Sequence, residues 1–145
     1  MTVDIRRRPV LITLGGFAIF AIFAMSYDPL TEVINEPLSI NGGVLASLTE
    51  FRAREKLLLL PGVDPTLERE RLSKVLNSLI DDLLAGIQSN PSKLWVLTQF
   101  QHALVLVEAE DTEGREHFGM ELENVMDILG IESSDGLLTF YLGGL

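Results

Sequence analysis

Apolar residues recur at Leu72, Val75, Leu76, Leu79, Ile80, Leu83, Leu84 and Ile87, the three-and-four spacing of one buried face on an α-helix. The spacing predicts a central helix over Leu67 to Ile87, and a helix so one-sided needs others to cover it. Its punctuation agrees. Asp64 can cap the start, Pro65 suits the first helical position, and Glu68 and Glu70 lie near the positive end of the dipole. Glu70 faces Lys74 one turn on, and Gln88 to Asn90 closes the helix before Pro91.

The covering elements can be read the same way. Val44 to Leu60 predicts a helix with Leu45, Leu48 and Phe51 on its inner side and Arg52, Arg54, Glu55 and Lys56 outside. It ends in four consecutive leucines, Leu57 to Leu60, which run into Pro61-Gly62. Such a run is either buried under other elements or forms a contact surface; burial is the expectation. Ser92 to Val107 predicts a third helix burying Leu94, Leu97, Phe100, Ala103, Leu104 and Val107, with Trp95 and His102 on other faces. Asp111 or Thr112 caps a fourth, whose stripe is Phe118, Leu122, Val125, Met126 and Leu129. Gly130 is placed to end it in a left-handed turn with Ile131 folding back. Ser133 or Ser134 caps a last short helix, Asp135 to Leu142. With no alternating strand and no repeat, the fold class expected is all-α: a compact bundle of about five helices over residues 44–145.

Ahead of the bundle lie two other stretches. Residues 27–43, with Pro29, Pro37 and Gly42-Gly43, predict a tether or irregular arm with a short turn burying Leu30, Val33 and Ile34. Residues 1–26 contain Arg6-Arg7-Arg8 followed by a charge-free run from Pro9 to Met25. At about 1.5 Å per residue its roughly 17 residues reach about 25 Å of a bilayer core about 30 Å thick. A basic start, an apolar run and small residues at Ala24 and Ser26 also fit a signal peptide cleaved before Tyr27 or after Ala24. The length of the run favours an uncleaved signal anchor. A buried core helix fits poorly because every face is apolar. The arginines on one side, and Asp28, Glu32 and Glu36 on the other, put the N-terminus in the cytoplasm and the domain in the periplasm.

Charge changes the picture of partners. Arg6 to Arg8 account for three of the 11 basic residues and Asp4 for one of the 21 acidic ones. That leaves eight against 20, a net −12, for residues 27–145. Such a surface repels phosphate backbones, so nucleic acid is not an expected partner. The chain has no cysteine, which excludes disulfides, thiolate nucleophiles and cysteine-ligated metals.

Candidate chemistry is sparse. His102 and His117 are far apart and neither sits in HExxH or a similar ligand spacing. Glu113 and Glu121, one turn either side of His117, make the only face that suggests a divalent metal or acid–base work, and a solvated acidic face with a surface histidine is the simpler account of it. Asp81 and Asp82 are adjacent, so they point about 100° apart and form no carboxylate pair alone. Glu108, Glu110, Asp111, Glu113 and Glu116 straddle a helix start, where acids suit the dipole. No serine lies in GxSxG, no phosphate loop or dinucleotide fingerprint appears, and Ser133-Ser134-Asp135-Gly136 reads as a cap and turn. No catalytic residue, cofactor or metal site is therefore assigned; His117, Glu113 and Glu121 are the sole metal candidates.

The phrases PGVDPTLERERLSKVLNSLIDDLL, NPSKLWVLTQF and DTEGREHFGMELENVMDILGIESSDGLL, the most distinctive being Met126 to Leu138, resemble a small bacterial family of helical domains, domain of unknown function 4844, over about residues 45–142. The resemblance implies the helical fold and a bacterial source. That family has no established activity, so it lends no functional residue. Two function classes follow. The first is a membrane-tethered or periplasmic helical module that binds a protein partner, as an inhibitor, an immunity-type protein or an accessory subunit. The second is a small enzyme or divalent-metal-binding protein using the acidic face near His117.

Overall fold

A computed structural model describes residues 26–60 and 65–143. A 3₁₀ turn, Pro29–Glu32, precedes five α-helices: α1 (Gly42–Ala53), α2 (Pro65–Gly86), α3 (Lys93–Leu106), α4 (Thr112–Leu129) and α5 (Leu137–Leu142). Among the described residues there is no strand, only an isolated bridge between Pro37 and Ser92. None of these helices is long and apolar enough to cross a membrane. The run expected to do so, residues 9–25, lies outside the described residues, as does the expected cap Asp64.

The central helix is α2, which at 22 residues is about 33 Å long. Leu72, Leu76, Leu79, Ile80, Leu83 and Ile87 are all buried, with Val75 and Leu84 at the edge of the core. Each buried leucine or isoleucine contributes about 1.5–3 kcal/mol over leaving it wet, so this one stripe decides where the other helices lie. Packed against α2 are α1 and α3; α4 packs on α1 and α5, and α5 also on α3. The predicted Glu70–Lys74 pair forms at 3.2 Å.

Helix ends follow local chemistry. Asn41 caps α1, its side chain accepting from the Val44 N–H at 3.0 Å. Ser92 caps α3 and Asp111 caps α4, through the N–H of Trp95 and of Gly114. At the end of α4, Gly130 takes φ 70°, its N–H reaches Asp127 O and the Ile131 N–H reaches Met126 O at 2.9 Å. That is the double bond pattern of a left-handed helix stop, and it buries Ile131.

Three expectations need correction. First, α1 ends at Ala53, and the residues up to Leu60 form an irregular loop. The Lys56 ammonium folds back onto the carbonyls of Arg52 (3.0 Å) and Arg54 (2.9 Å), satisfying the helix's orphan acceptors seven residues before Pro61 could end it. Second, α5 starts at Leu137, because Asp135 adopts φ 50° and Gly136 φ 89°. Asp135 turns inward to an ion pair. Third, α3 buries Val96 as well as the expected stripe, while Leu94 is only half-buried, because residues 34–38 lie across the start of the helix.

That arm is no free strand of chain. Leu38 donates to Pro91 O (2.8 Å), Glu36 O accepts from Lys93 (2.9 Å), and the Asn35 side chain accepts from the Leu94 N–H (3.0 Å). Leu30 and Val33 rest on the core, while Ile34 is exposed. Deeper in, the Lys93 ammonium meets the Asp135 carboxylate at 2.7 Å, both side chains largely out of water, and Asp135 also accepts from the Ile34 N–H at 2.9 Å. The Lys93 hydrogen bond, then the Ile34 N–H, holds the Asp135 carboxyl below its ordinary value.

Candidate functional site

The loop between α1 and α2 carries the most unusual surface of the molecule. Leu57 has φ 59°, a left-handed conformation rare for a bulky residue and costing about 1–3 kcal/mol. Three bonds hold it there. Its N–H donates to Glu121 Oε1 at 2.9 Å, and its carbonyl accepts from the Leu60 N–H and from Arg69 Nε, each at 3.1 Å. Leu57 and Leu60 are both 3% exposed, so the leucine run is nailed down at both ends. Between them Leu58 is 58% and Leu59 78% exposed.

The four-leucine run is thus split, with two leucines serving the core and two held in solvent. Burial, the expectation for the whole run, fails for the middle pair because the left-handed Leu57 reverses the chain direction there. Met120, half-exposed on α4, and His117 adjoin the two leucines across a shallow groove of about 200 Å³ that Glu121 and Asn124 also line.

Charged groups brace this loop from below. Arg54 donates to Glu121 Oε2 at 3.0 Å and lies 4.4 Å from the Phe51 ring centroid, with the Lys56 ammonium at 5.2 Å from the same ring. Lys56 is almost wholly buried, and burial, then the neighbouring Arg52, pushes its ammonium below the ordinary lysine value. Glu121 therefore spends both oxygens on the loop, with Oε2 also accepting from Asn124 at 3.3 Å.

The metal candidates look different in this light. Glu121 is occupied as a brace, His117 lines the groove, and Glu113 stands exposed in the first turn of α4. Among the described residues no three His, Asp or Glu side chains come close enough to hold a metal ion. His102 lies elsewhere, on a small groove between α2 and α3.

The acidic residues also find structural work. Asp81 takes a two-pronged bond from Arg52, at 2.8 and 3.2 Å, which ties α1 to α2 and lowers the Asp81 carboxyl. Asp82 shares none of it. Glu110 takes Arg71 at 2.8 Å while Asp111 caps α4. Glu68 packs where Gly114 leaves room for its carboxylate, and partial burial, then Asp111 and Glu110, pushes it upward.

Three acids flank Met120 on the side of α4 turned away from the groove. Glu116, Glu123 and Asp127 lie four, three and seven residues from it along α4, all exposed, and none makes an ion pair among the described residues. The apolar patch of Leu58, Leu59 and Met120 thus has Arg54 and Glu55 along its groove and acids on the far side of Met120. Sequence reasoning identified the leucine run but not which leucines face out. The only local sign was a helix-stopping lysine placed just ahead of them.

Comparison with curated proteins and with solved structures finds no match. A family model described as a domain of unknown function (DUF4844) matches residues 39–145, nearly three-quarters of the chain, and the chain belongs to that family.

Proposed function

We propose that this chain is a membrane-tethered module that binds a protein partner in a bacterial cell envelope. In this reading residues 9–26 anchor it in the inner membrane with the N-terminus in the cytoplasm and the domain in the periplasm. The observation that carries the binding reading is the Leu58–Leu59 pair, held out of the core by a strained, braced turn. A domain that sought only burial would gain from tucking those leucines in, whereas exposed apolar groups rimmed by charge mark contact surfaces. The acids on the far side of Met120 select the partner's chemistry: a cationic amphipathic segment, with apolar side chains for the Leu58, Leu59 and Met120 patch and lysine or arginine opposite Glu116, Glu123 and Asp127.

The test is mild-detergent purification of the full chain from its host, alongside a Leu58→Ser/Leu59→Ser double variant, with mass spectrometry of what each retains. The expected result is a near-stoichiometric protein present with the parent chain and lost with the variant. A partner that stays with the variant moves the contact elsewhere, and a chain that arrives alone removes the binding reading. The mass of the chain's own N-terminus decides between anchor and cleaved signal.

A further inference from the structure

Tyr27 and Phe140 form an exposed aromatic pair where the N-terminal arm crosses α5. Their rings are 5.5 Å apart, tilted by 46°, and Phe140 meets Tyr141 edge-on at 5.0 Å. Tyr27 is 58% and Phe140 50% exposed, although α5 turns its leucines inward. From Tyr27 onward the arm has no slack. Asp28 accepts from Gln101 Nε2 at 2.9 Å, Ile34 donates to Asp135, and Asn35, Glu36 and Leu38 are bonded to the turn that begins α3.

We infer that the domain rests directly on the bilayer, with Tyr27 and Phe140 at headgroup depth and α5 as its membrane-facing edge. The inference depends on the anchor reading above. Only Ser26 separates the charge-free run ending at Met25 from Tyr27, and two residue steps reach at most about 7 Å. The polar layer of a bilayer is on the order of 5–7 Å deep on each side, so Tyr27 cannot leave it by more than its own length. Tyrosine, with an apolar ring and a polar hydroxyl tip, is a side chain that favours this layer. Phe140 is carried there by its tilted contact with Tyr27, and the hydrogen-bonded arm fixes the rest of the bundle in orientation. Charge does not draw the domain down, because residues 27–145, with 8 basic and 20 acidic groups and a net charge of −12, are repelled by anionic lipid. The covalent junction and the aromatic pair set the contact.

The absence of cysteine makes single nitroxide labels clean. The full chain would be labelled at Ala18→Cys, Phe140→Cys, Thr139→Cys and Ser78→Cys and reconstituted in vesicles of phosphatidylethanolamine and phosphatidylglycerol. Collision rates with oxygen and with a water-soluble nickel chelate are then compared. Position 18 reports the anchor, position 78 on α2 is the exposed reference, and position 139 leaves Phe140 in place. The expected result is an oxygen-to-nickel ratio at 139 and 140 roughly twofold or more above that at 78, as for groups at headgroup depth. If 18 reads as hydrocarbon while 139 and 140 match 78, the anchor stands and the resting face is wrong. Spin–spin broadening between labels at 140 would instead assign that face to a second copy and overturn the lipid contact. Water-like readings at 18 as well would overturn the anchor and, with it, this inference.

Discussion

Among the described residues two loops each contain one non-glycine residue in the left-handed region, and they use it in opposite directions. In the loop before α2, Leu57 at φ 59° turns the chain so that two leucines face water. In the loop before α5, Asp135 at φ 50° turns so that a charge faces inward, onto Lys93. Both are held by a side chain from another helix: Glu121 of α4 for the first, Lys93 of α3 for the second. The inward loop closes the fold by joining the arm, α3 and α5 at one carboxylate. The outward loop spends a comparable set of bonds on keeping apolar groups exposed, which stability alone does not require. That contrast separates a loop that closes the fold from one that keeps apolar groups at the surface.

The inward loop should break hardest. Asp135→Asn leaves a buried ammonium facing a neutral amide, and loss of one partner of a buried pair costs about 3 kcal/mol. Urea unfolding of the domain should show it as a drop in midpoint at unchanged slope. Adding Lys93→Met to Asp135→Asn removes the stranded charge, so the double variant should recover most of the loss. If the double variant is as unstable as Asp135→Asn alone, the ammonium is not the source of the cost.

The same pair sets an acid window. Because the folded Asp135 carboxyl lies below its ordinary value of 3.8, the unfolded chain takes up the proton first as pH falls. The pair's contribution is therefore complete above about pH 5 and is lost as the pH falls through 3.8 toward the folded value. Asp81, lowered by Arg52, adds a smaller slope of the same sign, discounted because that pair is largely in solvent. Stability measured from pH 6 to pH 3 should fall less steeply in Asp135→Asn than in the parent chain; equal slopes would remove Asp135 from the acid response.

For the outward loop, Glu121 separates two roles. Glu121→Ala strands the Leu57 N–H and should cost about 1–2 kcal/mol and speed proteolysis between Arg54 and Leu60. Glu121→Gln keeps an acceptor for that N–H and loses the charge and the second acceptor that the exposed Arg54 and Asn124 share, about 0.5–1 kcal/mol. If the two variants lose equal stability, charge rather than the hydrogen bond holds the turn.

How far the sequence disclosed this contrast depends on whether the deciding contact was local. The α2 stripe, the capping by Asp111 and the Gly130–Ile131 stop were all legible, because each is settled by residues within a turn or two. Asp135 read as part of a helix start, because its partner Lys93 lies 42 positions away and nothing near Asp135 announces it. Leu57 read as helix for a similar reason. Its brace Glu121 is 64 residues distant, and the same glutamate read as a metal candidate beside His117. The arm read as a tether because its bonds to the rest of the fold, two between backbone groups and three through a side chain, reach partners more than 50 positions away, and a local pattern carries no trace of those.

The smallest effect on stability is the most informative about function. Leu58 and Leu59 are already in water, so serine at both positions removes little buried area, and the unfolding free energy should move within the ±0.5 kcal/mol typical of surface changes. Solubility should rise, since an exposed apolar pair beside Met120 is lost. A Leu60→Ser change two positions on should instead cost about 2–4 kcal/mol, because that leucine is 3% exposed within the core. The pair of measurements tests the loop's design with the partner left out: adjacent residues of one type, one set free to change and the other not. Should Leu58→Ser/Leu59→Ser destabilise the domain as much as Leu60→Ser, the two leucines are core residues in solution. The outward loop would then differ from the inward one only in the residues it buries.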